Sequence, residues 1–150
     1  MKAKSGFTLV EILIVVVILG ILAAIVIPQF TQASTEAKLN SLCSDLQTLR
    51  SQIELYKVQH NDTPPSLANF DDQMVYCSTI AGVDNDLKTR DATHEFGPYL
   101  ERIPENPFTN SDGVVDWDSS ATTDGWEYNE TTGEIRAAID TVDPNAHQAL

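Results

Sequence analysis

Positive charge is scarce in this chain: 9 Lys and Arg stand against 22 Asp and Glu in 150 residues, a formal net charge of -13. Such a surface repels phosphate backbones and anionic membrane faces, so nucleic-acid binding is disfavoured. Histidine occurs three times, at His60, His94 and His147, with no HExxH and no paired metal-ligand spacing. A nucleophile elbow, a Gly-rich phosphate loop and an internal repeat are all missing. No catalytic residue is assigned, and the chain reads as a structural or binding protein, not an enzyme.

Charge of either sign is also missing between Glu11 and Glu36, and the run Ile12 to Pro28 holds no polar side chain. With Phe7 to Val10 in front, about 22 residues are available to cross a hydrocarbon core of about 30 Å as a helix. Lys2 and Lys4 precede the run, which by the positive-inside rule keeps the N-terminus in the cytoplasm and exports everything after Pro28. A secretory leader has a shorter apolar core of roughly 7 to 15 residues, and Ala23-Ala24 imitates its cleavage site only weakly. Glu11 is the anomaly, because a carboxylate deep in lipid costs on the order of 3 kcal/mol even on mild scales. Something must neutralise it.

Lys4-Ser5-Gly6-Phe7-Thr8-Leu9-Val10-Glu11 resembles the class III signal of type IV pilins and type II secretion pseudopilins. That signal is a short basic leader ending in Gly, then Phe, with Glu four positions on. The resemblance implies that a membrane-embedded prepilin peptidase cuts between Gly6 and Phe7 and methylates the new amine of Phe7, while the apolar helix is kept. A freed α-amine has an ordinary pKa near 7.7 to 8.0 and is mostly cationic at neutral pH. In the family the acid matching Glu11 attracts the amine of an adjacent subunit. In a low dielectric such a pair gains far more than in water, and breaking it costs roughly 3 to 5 kcal/mol. Pairing of Glu11 with its own amine before assembly stays open.

Past the membrane, Leu39, Leu42, Leu46, Leu49, Ile53 and Tyr56 recur at spacings of 3 and 4, a helical stripe with polar residues elsewhere. The pattern predicts one helix from Phe7 to about Val58, near 80 Å at ~1.5 Å per residue. Gly20 and Pro28 can soften it, and the resemblance implies local unwinding between them in filaments. Gln59 to Pro65 ends the helix, a short helix is expected at Ser66 to Phe70, and Asp71 to Phe96 reads as irregular. Strands are expected at Gly113 to Trp117, Gly125 to Asn129 and Glu134 to Ile139, the last two joined by the turn Glu130-Thr131-Thr132-Gly133. Trp117 and Trp126 read as core aromatics.

Tyr56 with the His60 to Pro65 turn, Tyr99-Leu100 with Ile103-Pro104 and Asn106-Pro107, and Trp126-Glu127-Tyr128 with Thr132-Gly133-Glu134-Ile135 are similar to the major pseudopilin of type II secretion. The resemblance covers nearly the whole chain, most strongly residues 4 to 30. It implies an α+β pilin-like fold, a long N-terminal helical spine packed against a small antiparallel sheet. The segments are a leader at 1–6, a transmembrane and filament-core helix at 7–30, an amphipathic half at 31–58 and a globular head at 59–150. It further implies a homopolymer with other pseudopilins, forming a periplasmic pseudopilus that drives protein export with an inner-membrane platform and an assembly ATPase. A surface pilin for adhesion or motility shares every feature of the leader, and a membrane-tethered binding module is the remaining alternative.

Major pseudopilins commonly hold calcium in a C-terminal loop, but the Gly-rich acidic ending expected there is absent. Asp112, Asp116 and Asp118 with Ser111 offer hard oxygen ligands without EF-hand spacing, and solvated loop acids are the favoured reading. No metal ligand is assigned; calcium is left open. Cys43 and Cys77 could close a loop of about 35 residues in an oxidising compartment, or Cys43 could be a buried core thiol. Both readings stay open.

Overall fold

The computed structural model describes residues 8–84, 86–117 and 123–138. Its contacts divide the chain into two compact units, one up to Ala37 and the other from Lys38 onward. A single helix, α1, is assigned without interruption over Leu9–Gln59.

In the first unit every described residue from Thr8 to Ala37 is exposed. The helix forms there because Leu, Ile, Val and Ala fill position after position, and backbone groups amid apolar side chains must pair within the segment itself. Gly20 and Pro28 both lie inside α1, and a Cβ at Gly20 would have nothing within 4 Å of it.

In the second unit the expected stripe is the core. Leu42, Leu46, Leu49, Ile53 and Tyr56 are all 2% exposed or less, whereas Leu39 is only half-buried. They pack with Phe70, Met74, Leu100, Trp126, Tyr128 and Ile135. A 3-10 turn at Leu67–Asn69 runs into a short helix, α2, at Phe70–Val75. The sequence placed this helix at Ser66 to Phe70 and read the following residues as irregular. The helix lies later because Phe70, Gln73 and Met74 turn one face inward to the core.

Three strands follow, β1 (Val114–Asp116), β2 (Trp126–Asn129) and β3 (Glu134–Ala137), ordered β1-β2-β3. The hairpin β2–β3 pairs Trp126 with Ala137 and Tyr128 with Ile135. Its turn closes through Gly133 at φ 79°, and the Asn129 side-chain oxygen accepts the N–H groups of Thr131 and Thr132 at 2.9 and 3.2 Å. The α+β class holds, with one difference: β1 runs parallel to β2, so the sheet is mixed. The Gly113 carbonyl accepts from both Gly125 and Trp126, at 2.9 and 3.0 Å, and sets that parallel register. Gly125 permits it, since a Cβ there would sit 2.2 Å from the Ser111 carbonyl oxygen.

The two tryptophans part company. Trp126 is fully buried and donates its indole N–H to the Pro104 carbonyl at 2.7 Å. Trp117 is half-buried and carries the Arg136 guanidinium 4.1 Å above its ring. Arg136 also pairs with Glu127, a carboxylate only 4% exposed, donating from Nε at 2.7 Å.

Candidate functional site: the apolar segment and its acid

Sixteen large apolar side chains between Leu9 and Phe30 stand 44–82% exposed. Each would gain about 1.5–3 kcal/mol on full burial, so the segment cannot rest in water. It is the one helix among the described residues long and apolar enough to cross a membrane.

Thr8 and Glu11 open this helix. Glu11 Oε2 accepts the Thr8 backbone N–H and the Thr8 hydroxyl, each at 3.3 Å, while the Glu11 N–H donates back to Thr8 Oγ1 at 3.3 Å. This is a capping box, with Thr at the cap and Glu three residues on. It satisfies N–H groups that helix geometry orphans and sets a negative charge at the positive end of the dipole. The Thr-x-x-Glu spacing at Thr8 and Glu11 is the sequence signature of this box. Glu11 Oε1 keeps no partner among the described residues. Gly6 and Phe7 lie outside the described residues.

Of the two readings left open for Cys43 and Cys77, the fold has both as free thiols. Cys77 adjoins Ser78, whose hydroxyl lies 3.1 Å from His60 Nε2. His60 follows the end of α1, seventeen residues beyond Cys43, a rise of about 25 Å. A disulfide needs Cα atoms within roughly 7 Å. Cys77 is instead fully buried and Cys43 half-buried.

Among the described residues, Asp112 and Asp116 belong to no cluster of three acidic, His or Cys side chains able to hold a metal. Asp116 Oδ1 accepts the N–H of Trp117 at 2.8 Å, and among the described residues no three His, Cys, Asp or Glu side chains converge to hold a metal. Asp118 and His147 lie outside the described residues. His94 is tied to Asp91, its Nδ1 2.8 Å from Oδ2. Asp91 also accepts the N–H groups of His94 and Thr93, which hold its carboxyl well below the usual range. Missed at the sequence level is His60, 2% exposed, stacked on Tyr56 at 3.7 Å with its Nδ1 2.8 Å from the Tyr56 carbonyl.

Residues 1–27 match the family of the prokaryotic N-terminal methylation motif. The type II secretion system core protein G of Aeromonas hydrophila is 31% identical over 109 residues, covering 73% of this chain and 71% of the relative. Its counterpart in Pseudomonas aeruginosa is 32% identical over 114 residues, with the same coverage. That of Pectobacterium carotovorum is 41% identical over 105 residues, 70% of this chain and 62% of the relative. No solved structure matches. The apolar helix and these relatives together fit anchoring in the inner membrane. Methylation motif, apolar helix, mixed sheet and identity of 31–32% over 73% of the chain converge, and the chain belongs to the core protein G family of the type II secretion system, the major pseudopilins.

Proposed function

We propose that this chain is the repeating structural subunit of a pseudopilus and performs no catalysis of its own. A prepilin peptidase removes residues 1–6 and methylates the amine of Phe7. The subunit then waits in the inner membrane as a single-pass protein, N-terminus cytoplasmic and head periplasmic. Assembly moves the Leu9 to Phe30 face from lipid into a bundle of like helices, where Glu11 meets the Phe7 amine of a neighbour.

The observation that carries this reading is the exposed apolar segment headed by one acid whose Oε1 has no partner among the described residues. Capping occupies only Oε2 and does not require the charge, whereas a filament uses the charge and the second oxygen to fix the axial register. Apolar helix in lipid and apolar helix in a bundle have similar free energies, so extraction calls for an assembly ATPase and a membrane platform. Gly20 and Pro28 are the positions where the segment can unwind as it is drawn out.

The test is to shear filaments from cells producing wild type or Glu11→Ala and image both, with mass spectrometry of the N-terminus. Filaments from wild type alone, with N-methylated Phe7 leading both chains, are expected. Equal filament yield from the two would overturn the mechanism.

A further inference from the structure

Two histidines lie among the described residues, and they are held in opposite ways. His94 sits beside a carboxylate, its Nδ1 2.8 Å from Asp91 Oδ2, so a proton taken up there completes an ion pair. His60 is 2% exposed and has no acidic partner among the described residues. Its Nδ1 lies 2.8 Å from the Tyr56 carbonyl and its Nε2 3.1 Å from the Ser78 hydroxyl. A carbonyl can only accept, so Nδ1 carries the hydrogen and Nε2 accepts from Ser78. Both nitrogens of the neutral ring are thereby in use.

Ser78 is fully buried and ties its connection together. Its N–H donates to the Phe96 carbonyl at 2.9 Å, and its own carbonyl accepts the Phe96 N–H at 3.1 Å. It also bridges to Asp84, across the turn in which the Thr79 N–H donates to the Val83 carbonyl at 2.8 Å. The Ser78 hydroxyl joins all of this to the residue that follows α1. Gln73 tethers the turn separately, donating from Nε2 to the Gly82 carbonyl at 2.8 Å, so loss of the Ser78 bond is a local event.

A second proton reverses the roles. Nε2 then donates toward an oxygen whose own hydrogen points at it, and among the described residues the Ser78 hydroxyl has no second partner to turn to. The cation would be walled by rings, Tyr56 stacked at 3.7 Å, Phe96 at 5.3 Å and Tyr99 at 6.2 Å. The Tyr56 face attracts a cation, but a buried charge without a counter-ion costs more than one ring returns. The surrounding groups do not share the titration. Loss of hydration first, then the Asp84 carboxylate, push the Tyr56 pKa up to about 12, and loss of hydration followed by Tyr56 raises Tyr99 as well. Arg90 and Cys77 act on Tyr99 from the neighbouring connection, and Lys57 on α1 is paired with Glu54 at 3.0 Å. Imidazole is the side chain whose ordinary titration falls between about pH 5 and 8.

We propose that His60 and Ser78 form an acid-released latch: a proton taken up at Nε2 breaks the bond to Ser78 and loosens the Ser78–Phe96 bridge. The turn that carries Ile80 and Val83, exposed by 54% and 61%, loosens with it. The test is amide hydrogen exchange of the full-length, ¹⁵N-labelled chain in detergent micelles at about pH 7.5 and about pH 5.5, either side of the imidazole range, corrected for the intrinsic pH dependence of exchange. Imidazole ¹⁵N spectra should show the Nδ1–H tautomer of His60 at the higher pH. At the lower pH, protection of the Ser78 and Phe96 amides should fall roughly tenfold, the effect of one buried hydrogen bond lost, while Leu49 and Trp126 keep theirs. His60→Gln, neutral throughout, should show no such fall, and Ser78→Ala should be loosened equally at both pH values. An Nε2–H tautomer at the higher pH, unchanged protection in the wild type, an equal fall in His60→Gln, or equal losses at Leu49 and Trp126 would each overturn the proposal. Should His60→Gln fail to fold, Ser78→Ala still decides, since the same pH dependence there as in the wild type would rule the latch out.

Discussion

Thr8 and Glu11 each satisfy the other: the Glu11 carboxylate accepts the Thr8 N–H and hydroxyl, and the Thr8 oxygen accepts the Glu11 N–H, all at 3.3 Å. All the capping contacts of the carboxylate go to Oε2. The same side chain can thus begin its own helix and still present its charge and second oxygen to a neighbour. Two roles that look like competitors in the sequence are compatible in geometry.

Glu11→Gln separates those roles. Glutamine serves in a capping box as glutamate does, so the helical circular dichroism signal of the purified chain should be unchanged. The charge is lost, and a Phe7 amine buried in a filament would stand unpaired at a cost of about 3–5 kcal/mol. Sheared filament, quantified by immunoblot and electron microscopy, should fall at least about a hundredfold. Wild-type yield from Glu11→Gln would show that capping, and not charge, is what assembly needs.

What could be read in the sequence was whatever repeats over many residues. The stripe from Leu42 to Tyr56 was legible because a 3.6-residue period sustained over four turns has no other explanation, and the hairpin because Gly133 closes an alternating pair of strands. α2 was hidden because six residues carry no measurable period. The parallel pairing of β1 depends on how closely Gly125 approaches Ser111, and the stack of His60 on Tyr56 on where a connection folds back. Neither leaves a local mark. The free state of Cys43 and Cys77 belongs with these, since it follows from distance along α1 and not from spacing in the chain.

Gly125→Ala tests the mixed sheet. The added methyl would meet the Ser111 carbonyl oxygen at 2.2 Å and its carbon at 3.0 Å, both backbone atoms that cannot rotate aside. The Gly125 carbonyl also accepts from Asn106 Nδ2 and from the Ala138 N–H, both at 3.0 Å, so a shift of this residue breaks several bonds at once. A loss of about 3 kcal/mol or more is expected, at the upper end for overpacking. Denaturant unfolding of the full-length chain in detergent, followed by tryptophan fluorescence, measures it. A change within about 0.5 kcal/mol, the range of neutral surface substitutions, would mean that β1 does not pair with β2 in this register.

Asp71 supplies a pH-dependent test of the acidic surface. Its pKa is raised, first by loss of hydration, then by Asp112 and then by its neighbour Asp72. The folded pKa therefore lies above the unfolded one, and the folded chain holds this proton more tightly than the unfolded chain does. Ionised Asp71 is a penalty that is absent below the unfolded pKa and sets in as pH rises through the folded value. The first turn of a six-residue helix gives it little dipole compensation. Asp71→Asn carries no charge at any pH, so it should stabilise the fold at pH 7. After allowance for solvent screening the gain is at most about 0.5 kcal/mol. At pH 3 wild-type Asp71 is protonated in both states, and the advantage of Asn should vanish. Unfolding midpoints of the two chains at pH 7 and pH 3 decide the point. A gain of equal size at both would place the effect in the amide's hydrogen bonding and not in the repulsion among Asp71, Asp112 and Asp72.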